Sequence, residues 1–280
     1  MIVSEQPVSE AAIANHYDEL DPFYRDIWGQ HVHHGLWLNG NETSEEAARK
    51  LVELVAQKAE LRRDERVIDI GCGYGASARL LAENYGAAVT AITMSAVQYA
   101  FAQGTAPGPE LTYILGNWYS LELTSDSFDL AIAIESGEHM PDKVEFARQA
   151  YRALRPGGRF VLCAWLAADR VSKWQTDFLM KPICVGGRIP NLATGQEYID
   201  AVTEAGFQAA GSQDLTGQVK RTWSIAIRRF VERVFQDRRY RSFLFNRSIR
   251  NRIFALTVVQ IWLAYQVGAM QYRIFRFDKK

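Results

Sequence analysis

The sequence predicts an α/β fold in which helices alternate with the strands of a largely parallel sheet. Short apolar runs and amphipathic stretches take turns from Arg66 onward, which is the pattern of βαβ units. One apolar run leads directly into the glycine-rich turn 71–75, and another is introduced by the Pro-Gly-Gly segment 156–158. A strand that ends in such a turn lets a ligand approach the backbone, so the same pattern indicates a binding site.

The elements follow in order along the chain. Residues 8–29 predict one or two helices, and another helix begins near Ser44 with acidic residues in its first turn. Strands are predicted at 67–73, 88–93, 111–115, 128–135 and 158–165, with helices between them at 76–86, 95–103 and 142–154. A helix from Thr194 to Ala205 follows, then a helical insertion over about 217–265. The final strand, 271–277, alternates polar and apolar residues, which predicts an edge strand.

These elements divide the chain into three parts. We predict an N-terminal helical cap over residues 1–60, a ligand-binding core over 61–216, and a basic helical lid with the final strand over 217–280. The apolar stretch from Ile253 to Met270 is interrupted by polar residues. It is therefore a poor membrane-spanning candidate and predicts a buried helix.

The charge is zero overall but unevenly distributed. The chain has 32 basic and 32 acidic residues. Residues 1–219 hold 17 basic and 29 acidic side chains, whereas residues 220–280 hold 15 basic and 3 acidic ones. The balanced total, and the lack of a recognised motif beside the basic segment, argue against nucleic acid as a partner.

Cysteine usage and the N-terminal residues predict a cytoplasmic protein. Cys72, Cys163 and Cys184 have no metal-binding or redox spacing, and so sparse a set suits a reducing compartment. The N-terminal residues lack a basic segment followed by an apolar run, so no signal peptide is expected.

The segment from Asp69 to Gly75, Asp-Ile-Gly-Cys-Gly-Tyr-Gly, carries the clearest chemical signal. Its glycines allow close approach of a ligand, and the helix that follows offers its N-terminal amide groups. Dinucleotide-binding folds use a related turn, but they place an acid at the end of the second strand for the ribose. Here that strand is followed by Met94 and Ser95, which argues against a dinucleotide.

With these features the chain resembles the class I S-adenosylmethionine-dependent methyltransferases over about residues 15–215. Their five ordered motifs are matched by VIDIGCGYG, TMSAVQ, GNW, FDLAIAIESGEHM and LRPGGRFVL. IWGQHVHHGLW, ITMSAVQ and ESGEHMPDK are similar to the tocopherol and small-molecule methyltransferases, while EHM and Trp118 also resemble the cyclopropane fatty acid synthases. The resemblance implies a Rossmann-like sheet of seven strands and S-adenosylmethionine as the cofactor.

The resemblance also implies how the cofactor is held. The first motif would line its methionine part, the loop after the second strand its ribose, and the end of the third strand its adenine. The implied cofactor-binding residues are Tyr17, Asp69, Gly71, Cys72, Gly73, Gly75, Thr93, Met94, Gln98, Asn117, Trp118 and Glu135. Many relatives have Asp where Asn117 stands; asparagine keeps a carbonyl acceptor for the adenine amino group but loses the charge.

His139 and Glu138, just after the fourth strand, are the candidate catalytic residues. Open α/β sheets present ligands at this position. Methyl transfer from a sulfonium is an in-line displacement, so a base is needed only when the acceptor must lose a proton. The imidazole of His139 would serve as that base, with Glu138 orienting it or holding cationic charge. In the alternative interpretation, both side chains only hydrogen-bond the cap.

The histidine cluster at 31–34 has two interpretations. His31, His33 and His34 are residue types that bind metals, but no Cys, Asp or Glu at zinc spacing accompanies them, so no metal is predicted. Because an extended chain sends neighbouring side chains to opposite faces, we expect one histidine to face the site and another to pack in the cap. The residues assigned to the acceptor are Trp28, His33, His34 and Trp165.

The basic segment after residue 220 leaves three interpretations open. Residues 222–235 predict an amphipathic helix that carries several arginines. These arginines are solvated or pair with the acidic body, or they hold an anionic group of the acceptor. In the third interpretation, residues 221–252 make weak contact with a membrane surface.

The many aromatic residues of the cap and lid favour a small hydrophobic acceptor, such as a phenolic, prenylated or terpenoid natural product. The expected activity is therefore methyl transfer from S-adenosylmethionine to such a molecule. Two alternatives stay open: a cyclopropane-type lipid enzyme with a base or bicarbonate near Glu138, and a cyclase that keeps the cofactor but does not transfer its methyl group.

Overall fold

A computed structural model of the chain describes residues 1–105, 108, 110–245 and 253–280. The strands of this part are β1 (Ile2–Val3), β2 (Arg66–Ile70), β3 (Ala88–Thr93), β4 (Leu111–Leu115), β5 (Phe128–Ile134), β6 (Leu154–Ala167), β7 (Asn191–Leu192), β8 (Gln208–Asp214) and β9 (Met270–Asp278). Its helices are α1 (Glu10–Trp28), α2 (Ser44–Ala59), α3 (Ala76–Tyr85), α4 (Ala96–Gly104), α5 (Lys143–Ala153), α6 (Lys173–Gln175), α7 (Lys181–Gly186), α8 (Gly195–Glu204), α9 (Thr216–Val219), α10 (Arg221–Gln236), α11 (Arg238–Phe245) and α12 (Phe254–Gln266).

Within the described residues, seven strands form one mixed sheet in the order β4-β3-β2-β5-β6-β9-β8. Strands β2 to β6 run parallel to one another in this sheet, and β9 runs antiparallel to both β6 and β8. The order reverses at β2, where β3 lies on one side and β5 on the other. This arrangement confirms the predicted α/β fold, and it places the turn after β2 at the reversal point, where open sheets bind ligands.

The prediction of an edge strand at 271–277 is wrong. Strand β9 is enclosed by β6 and β8, and β8, whose residues are all exposed, forms the edge. The alternation in β9 instead reflects partly buried polar residues on both sheet faces: Gln271 and Arg273 on one face, and Arg276 and Asp278 on the other. There Arg276, half-buried, pairs with Glu60 and Asp278.

The cap is dominated by α1, one continuous helix where one or two were expected. The Ser9 side chain accepts a hydrogen bond from the Ala12 amide and begins it, and Pro22 lies inside it. Its buried residues, among them Leu20 and Tyr24, pack against the lid and the glycine-rich turn. The cap therefore joins the turn after β2 to the lid.

The core lies on both faces of the sheet. On one face Phe146 of α5 and Tyr198 of α8 pack with Phe160 and Phe275 from the strands. On the other face α2 and α3 pack together with the lid helices.

Helix α12 departs from its prediction as a buried helix. It buries Val258 and Ile261, but Leu256 is 60% exposed and Val259 is 42% exposed. The helix packs on α10 and α7 along one side only, so apolar residues on its other side stay at the surface.

Candidate active site

Two cavities meet at the carboxyl ends of the parallel strands. The first, which we term the sheet cavity, has a volume of about 810 Å³ and is bounded by the ends of β2 to β5. The second, the lid cavity, has a volume of about 580 Å³ and lies between cap, strand ends and lid. Tyr17, Val32, Glu135 and His139 line both. These four residues mark the junction at which a group can pass from one ligand to another.

Most of the residues assigned to the cofactor line the sheet cavity. They are Tyr17, Gly71, Gly73, Thr93, Met94, Gln98, Asn117, Trp118 and Glu135. Asp69, Cys72 and Gly75 do not line it. The position of Asp69 follows from strand geometry, because neighbouring positions alternate in direction: Ile70 lines the cavity, so Asp69 points away from it.

Two glycines of the turn, Gly73 and Gly75, have different roles. Gly73 has a φ of +55°, and a Cβ there would meet nothing nearer than Gln98 Nε2 at 3.9 Å, so this glycine faces open cavity space. Gly75, with a φ of +74°, would place a Cβ 2.5 Å from the Tyr113 ring. Glycine at position 75 is thus required by packing within the protein, whereas Gly73 leaves room for a ligand.

Asp69 lies buried beside this turn. Its Oδ2 atom has no hydrogen-bond partner in the structure. Burial raises the pKa of this carboxyl to about 7, because its charged form has lost its solvation. An uncompensated acid next to a ligand-facing turn is suited to an interaction with a cationic ligand group, directly or through water.

Polar groups at the ends of β3 and β4 are held in fixed orientations. The Thr93 hydroxyl donates to Gln98 Oε1 at 3.0 Å. Asn117 Oδ1 accepts from the Tyr119 amide at 3.1 Å and caps a short 3₁₀ turn. Its carbonyl oxygen can accept one more hydrogen bond, so the acceptor expected at position 117 is retained.

Glu135 is the most heavily hydrogen-bonded group at the junction. It follows β5 with a φ of +56°, an uncommon conformation for a residue other than glycine. Its oxygens accept from the His34 amide (2.7 Å), His34 Nδ1 (2.9 Å), Trp165 Nε1 (2.7 Å) and the Tyr272 hydroxyl (2.7 Å). Burial alone would raise its pKa, but the interactions with His34 and Trp165 outweigh burial and lower it to about 2. Glu135 is therefore ionised, and its hydrogen bonds connect the cap, the sheet and the last strand.

These contacts also fix the proton on His34. Its Nε2 atom accepts from the indole N–H of Trp223 at 2.6 Å, and indole nitrogen is a donor only. The His34 proton therefore resides on Nδ1, which donates to Glu135. His34 thus links Glu135 of the core to lid helix α10.

His139 presents a basic nitrogen at the junction. Its Nδ1 donates to the Arg188 carbonyl at 3.0 Å, so Nε2 keeps a lone pair and accepts from the Tyr17 hydroxyl at 2.8 Å. Burial is the main cause that lowers the His139 pKa to about 4, and Lys143 adds to it. Burial and the nearby Glu138 raise the Tyr17 pKa above its usual value, so Tyr17 stays a hydrogen-bond donor.

Glu138 lies three residues from Glu135 in a very different setting. Its Oε1 accepts from the Trp165 amide, and its Oε2, although buried, has no partner. Burial, reinforced by the charge of Glu135, raises the Glu138 pKa to about 8. Glu138 thus lines the lid cavity as a carboxyl group that holds its proton more tightly than usual.

Lys143 supports this loop from behind. Its buried ammonium group donates to the carbonyl oxygens of Glu138 (3.3 Å), Met140 and Asn191 (3.5 Å). Burial lowers its pKa to about 7. The lysine ties the loop that carries His139 to strand β7.

The lid cavity is lined mainly by aromatic and imidazole side chains. Trp28, His33, His34 and Trp165, the residues assigned to the acceptor, all line it, together with Tyr24, Trp223 and Phe254. Both His33 and His34 reach the cavity, contrary to the expected alternation, because residues 31–37 form no strand. Among the described residues no lysine or arginine lines it; the described lid arginines contact the cap, other lid residues or solvent instead.

The histidine cluster forms hydrogen bonds within itself. His33 Nδ1 donates to the His34 carbonyl at 2.8 Å, and His31 Nδ1 lies 3.2 Å from His33 Nε2. Within the described ranges, no group of three His, Cys, Asp or Glu side chains is arranged to hold a metal ion.

Three residues of the site were missed by sequence reasoning. Trp223 and Tyr272 reach His34 and Glu135 from the lid and the last strand, and no local motif connects residues so far apart. Lys143 occupies the first turn of a helix, where a charged residue usually faces solvent. Its only sequence signal is its place in the ESGEHMPDK segment.

A family model described as mycolic acid cyclopropane synthetase matches residues 5–250. The chain belongs to this family. Within the part of this family member that the structure describes, no helix is long and apolar enough to cross a membrane.

Curated relatives of this family member are methyltransferases. The chloroplastic tocopherol O-methyltransferase of Arabidopsis thaliana is 30% identical over 77% of this chain and 68% of the relative. The 27-O-demethylrifamycin SV methyltransferase of Amycolatopsis mediterranei is 31% identical over 78% of this chain and 81% of the relative. The solved cyclopropane synthase MmaA2 from Mycobacterium tuberculosis shares the fold, with a TM-score of 0.84 at 19% identity over 98% of this chain and 100% of that chain. The protein is an S-adenosylmethionine-dependent methyltransferase.

The sheet cavity of this methyltransferase fits its cofactor. The open space at Gly73 provides room at the turn after β2, and the unpartnered Oδ2 atom of Asp69 is buried beside that turn. Gln98 and Asn117 supply polar groups at the neighbouring strand ends.

Proposed function

We propose that this methyltransferase transfers the methyl group to a hydroxyl of a small hydrophobic molecule, with phenolic, prenylated or terpenoid compounds as the leading class. The unprotonated Nε2 atom of His139 at the junction of the two cavities carries the proposal. A hydroxyl that takes the place of the Tyr17 hydroxyl would donate its proton to the same nitrogen. The aromatic lining of the lid cavity supports a hydrophobic acceptor.

When bound, S-adenosylmethionine supplies an electrophilic methyl group on a sulfonium. The turn at Gly71 and Gly73 would hold its methionine part, with Asp69 acting on the ammonium group directly or through water. Its ribose and adenine would contact Thr93, Met94, Gln98, Asn117 and Trp118. The chain then has to orient the acceptor, take its proton and keep water away from the junction.

His139 suits the proton-accepting role. The Arg188 carbonyl holds its Nδ1 proton, so the ring is oriented with its lone pair toward the junction. A pKa of about 4 keeps the ring neutral across the physiological range, at some cost in basicity. Tyr17 marks the position of the acceptor hydroxyl and closes the junction from the cap.

Substitution of His139 by alanine tests the role of the base. With a phenolic acceptor, kcat should fall by about 10²–10⁴-fold, the usual contribution of general-base catalysis. S-adenosylmethionine should still bind when measured by calorimetry. His31→Ala is the matched control, because His31 lines neither cavity, and its kcat should match the wild type. Wild-type kcat in His139→Ala would remove His139 as the base.

A second candidate, methylene transfer to an alkene as in a cyclopropane-type enzyme, is favoured by Glu138. Its unpartnered Oε2 atom lies in the lid cavity, where an acid or base is needed near the acceptor carbon. Product structure separates a methyl group from a ring methylene. A cyclase would instead turn over without forming S-adenosylhomocysteine, which is measured directly.

We further infer a weak contact of residues 221–252 with a membrane surface and a reducing, cytoplasmic setting. In the described part of that segment, Phe235 and Phe245 are 80% and 79% exposed among several arginines; residues 246–252 lie outside the described residues. The three free cysteines suit a reducing compartment. Cell fractionation tests both inferences: recovery in an oxidising compartment, or no trace in the membrane fraction at low salt, would oppose them.

A further inference from the structure

A second apolar surface lies outside the segment 221–252. Helix α12 contains no charged residue, and its outer side exposes Leu256, Val259 and Leu263. Next to it, Phe178 is 71% exposed and Trp174 is 49% exposed. We call this surface the apolar face and define it by Trp174, Phe178, Leu256, Val259, Leu263 and Val267.

Hydrogen bonds hold the two halves of the apolar face side by side. Gln260 Nε2 of α12 donates to the Phe178 carbonyl at 3.2 Å, and Gln175 Nε2 donates to the Val267 carbonyl at 3.1 Å. In each case a glutamine side chain of one half bonds to a backbone carbonyl of the other half. The apolar side chains are thus displayed on a fixed platform rather than on separate loops.

The apolar face covers the lid cavity. Ile261 lies on the inner side of α12, where it lines that cavity, and Phe254 at the start of the helix also lines it. One helix therefore separates the proposed acceptor chamber from the exposed apolar surface. A helix that is apolar on both sides has to be covered on both, by protein or by lipid.

Charge favours an anionic lipid surface as the cover. Residues 220–280 carry 15 basic and 3 acidic side chains, in contrast to the acidic remainder of the chain. Helix α10, which packs on α12, exposes Arg228 and Arg233, and Lys173 is exposed beside Trp174. Aromatic and aliphatic side chains flanked by Lys and Arg are the composition of interfacial membrane-binding surfaces.

We propose that the apolar face docks this methyltransferase on the surface of an anionic lipid bilayer. The contact is peripheral, since α12 has 13 residues and is too short to span a bilayer. If the proposed function is right, docking places the lid cavity one helix away from a hydrophobic acceptor dissolved in the bilayer. Docking itself does not depend on the identity of the acceptor, so it is tested without one.

The test is co-sedimentation of the full-length protein with vesicles of phosphatidylcholine, alone or with phosphatidylglycerol. We expect binding to the mixed vesicles, weaker binding to phosphatidylcholine alone, and weakening by salt. Phe178→Ser and Leu256→Ser should each lower the partition coefficient about tenfold, because each removes a side chain from the contact. Leu38→Ser is the matched control: Leu38 is 60% exposed, as Leu256 is, but lies in the cap and should have no effect.

A second measurement locates the contact. Brominated lipids should quench the fluorescence of Trp174, and Trp174→Phe should lose that quenching while it retains vesicle binding. The proposal is overturned if the wild type does not bind anionic vesicles, or if Phe178→Ser and Leu38→Ser change the partition coefficient equally. A dimer in solution that Phe178→Ser dissociates, without vesicle binding, would assign the face to a second copy of the chain instead. Loss of docking with normal methylation of a soluble acceptor would leave the proposed function standing.

Discussion

The two cavities share four lining residues but are built in different ways. The sheet cavity uses backbone turns at the ends of neighbouring strands, and its polar groups are fixed by partners close in sequence, as in the Thr93–Gln98 pair. The lid cavity uses rings from cap, core and lid, tied together by Glu135 and His34 across more than a hundred residues. The sheet cavity is thus formed by residues close in sequence, whereas the lid cavity depends on hydrogen bonds between residues far apart in sequence.

The largest effect that separates the two cavities is expected from Gly73→Val. A β-branched residue is strained at a φ of +55°, and its methyl groups would occupy the open space of the sheet cavity. S-adenosylmethionine affinity should fall about a thousandfold, or about 4 kcal/mol, as measured by calorimetry. Gly217→Val is the control, because its Cβ would meet nothing within 4 Å and Gly217 does not line the sheet cavity. Unchanged affinity in Gly73→Val would contradict the assignment of the sheet cavity.

A smaller effect, on stability, should follow Glu135→Gln. The amide group of glutamine replaces one of two oxygens that accept four hydrogen bonds, so buried donors lose their partner. The free energy of unfolding should fall by about 3 kcal/mol in urea titrations. Glu138→Gln, three residues away, is the matched comparison. Since the Glu138 carboxyl already favours its protonated form, this change should cost little at neutral pH. Equal losses of unfolding free energy in the two variants would show that the hydrogen bonds to Glu135 stabilise the fold no more than those to Glu138.

The pH dependence of stability tests the Asp69 carboxyl, which is buried beside the turn of the sheet cavity. Its pKa is raised to about 7 in the folded protein, so the folded state binds this proton more tightly than the unfolded state. The resulting stabilisation is complete at acidic pH and is lost as the pH rises through 7. Between pH 5 and pH 8 the cofactor-free wild type should lose about 2 kcal/mol more than Asp69→Asn. Parallel pH curves for the two proteins would contradict the raised pKa.

The smallest effect is expected from Trp223→Phe in the lid. Phenylalanine keeps an aromatic ring in the cavity but removes the N–H donated to His34, at a cost of about 1 kcal/mol. The KM for the acceptor should rise a few-fold, while S-adenosylmethionine affinity should stay unchanged. A loss confined to cofactor binding would contradict the division between the cavities.

The same difference explains what the sequence could predict. The alternation of strands and helices and the turn at Gly71 and Gly73 depend on residues that are close in sequence, so the sequence predicts them. The sequence did not correctly predict which way the side chains of the glycine-rich motif point. Asp69 belongs to the pattern but points away from the sheet cavity, because its neighbour Ile70 lines the cavity and alternate strand positions face opposite ways. Cys72 also belongs to the pattern and does not line the cavity.

The lid cavity was predicted less completely. Its aromatic lining was expected, but the four hydrogen bonds to Glu135 come from residues 34, 165 and 272, and their meeting depends on strand order. The position of β9 between β6 and β8 was missed, because partly buried polar residues in an enclosed strand give the same alternation as an edge strand. The apolar face was missed for a related reason: an apolar sequence indicates that a helix is covered, but not what covers it.

The enclosed position of β9 has a consequence for synthesis. Translation proceeds from the N-terminus, so the glycine turn, the parallel strands and the edge strand β8 all leave the ribosome before Tyr272. A nascent chain can form its ligand-binding turn, yet Glu135 lacks its fourth donor until β9 inserts between β6 and β8. The hydrogen-bond set of Glu135 is therefore completed only by the last strand of the sheet to be synthesised.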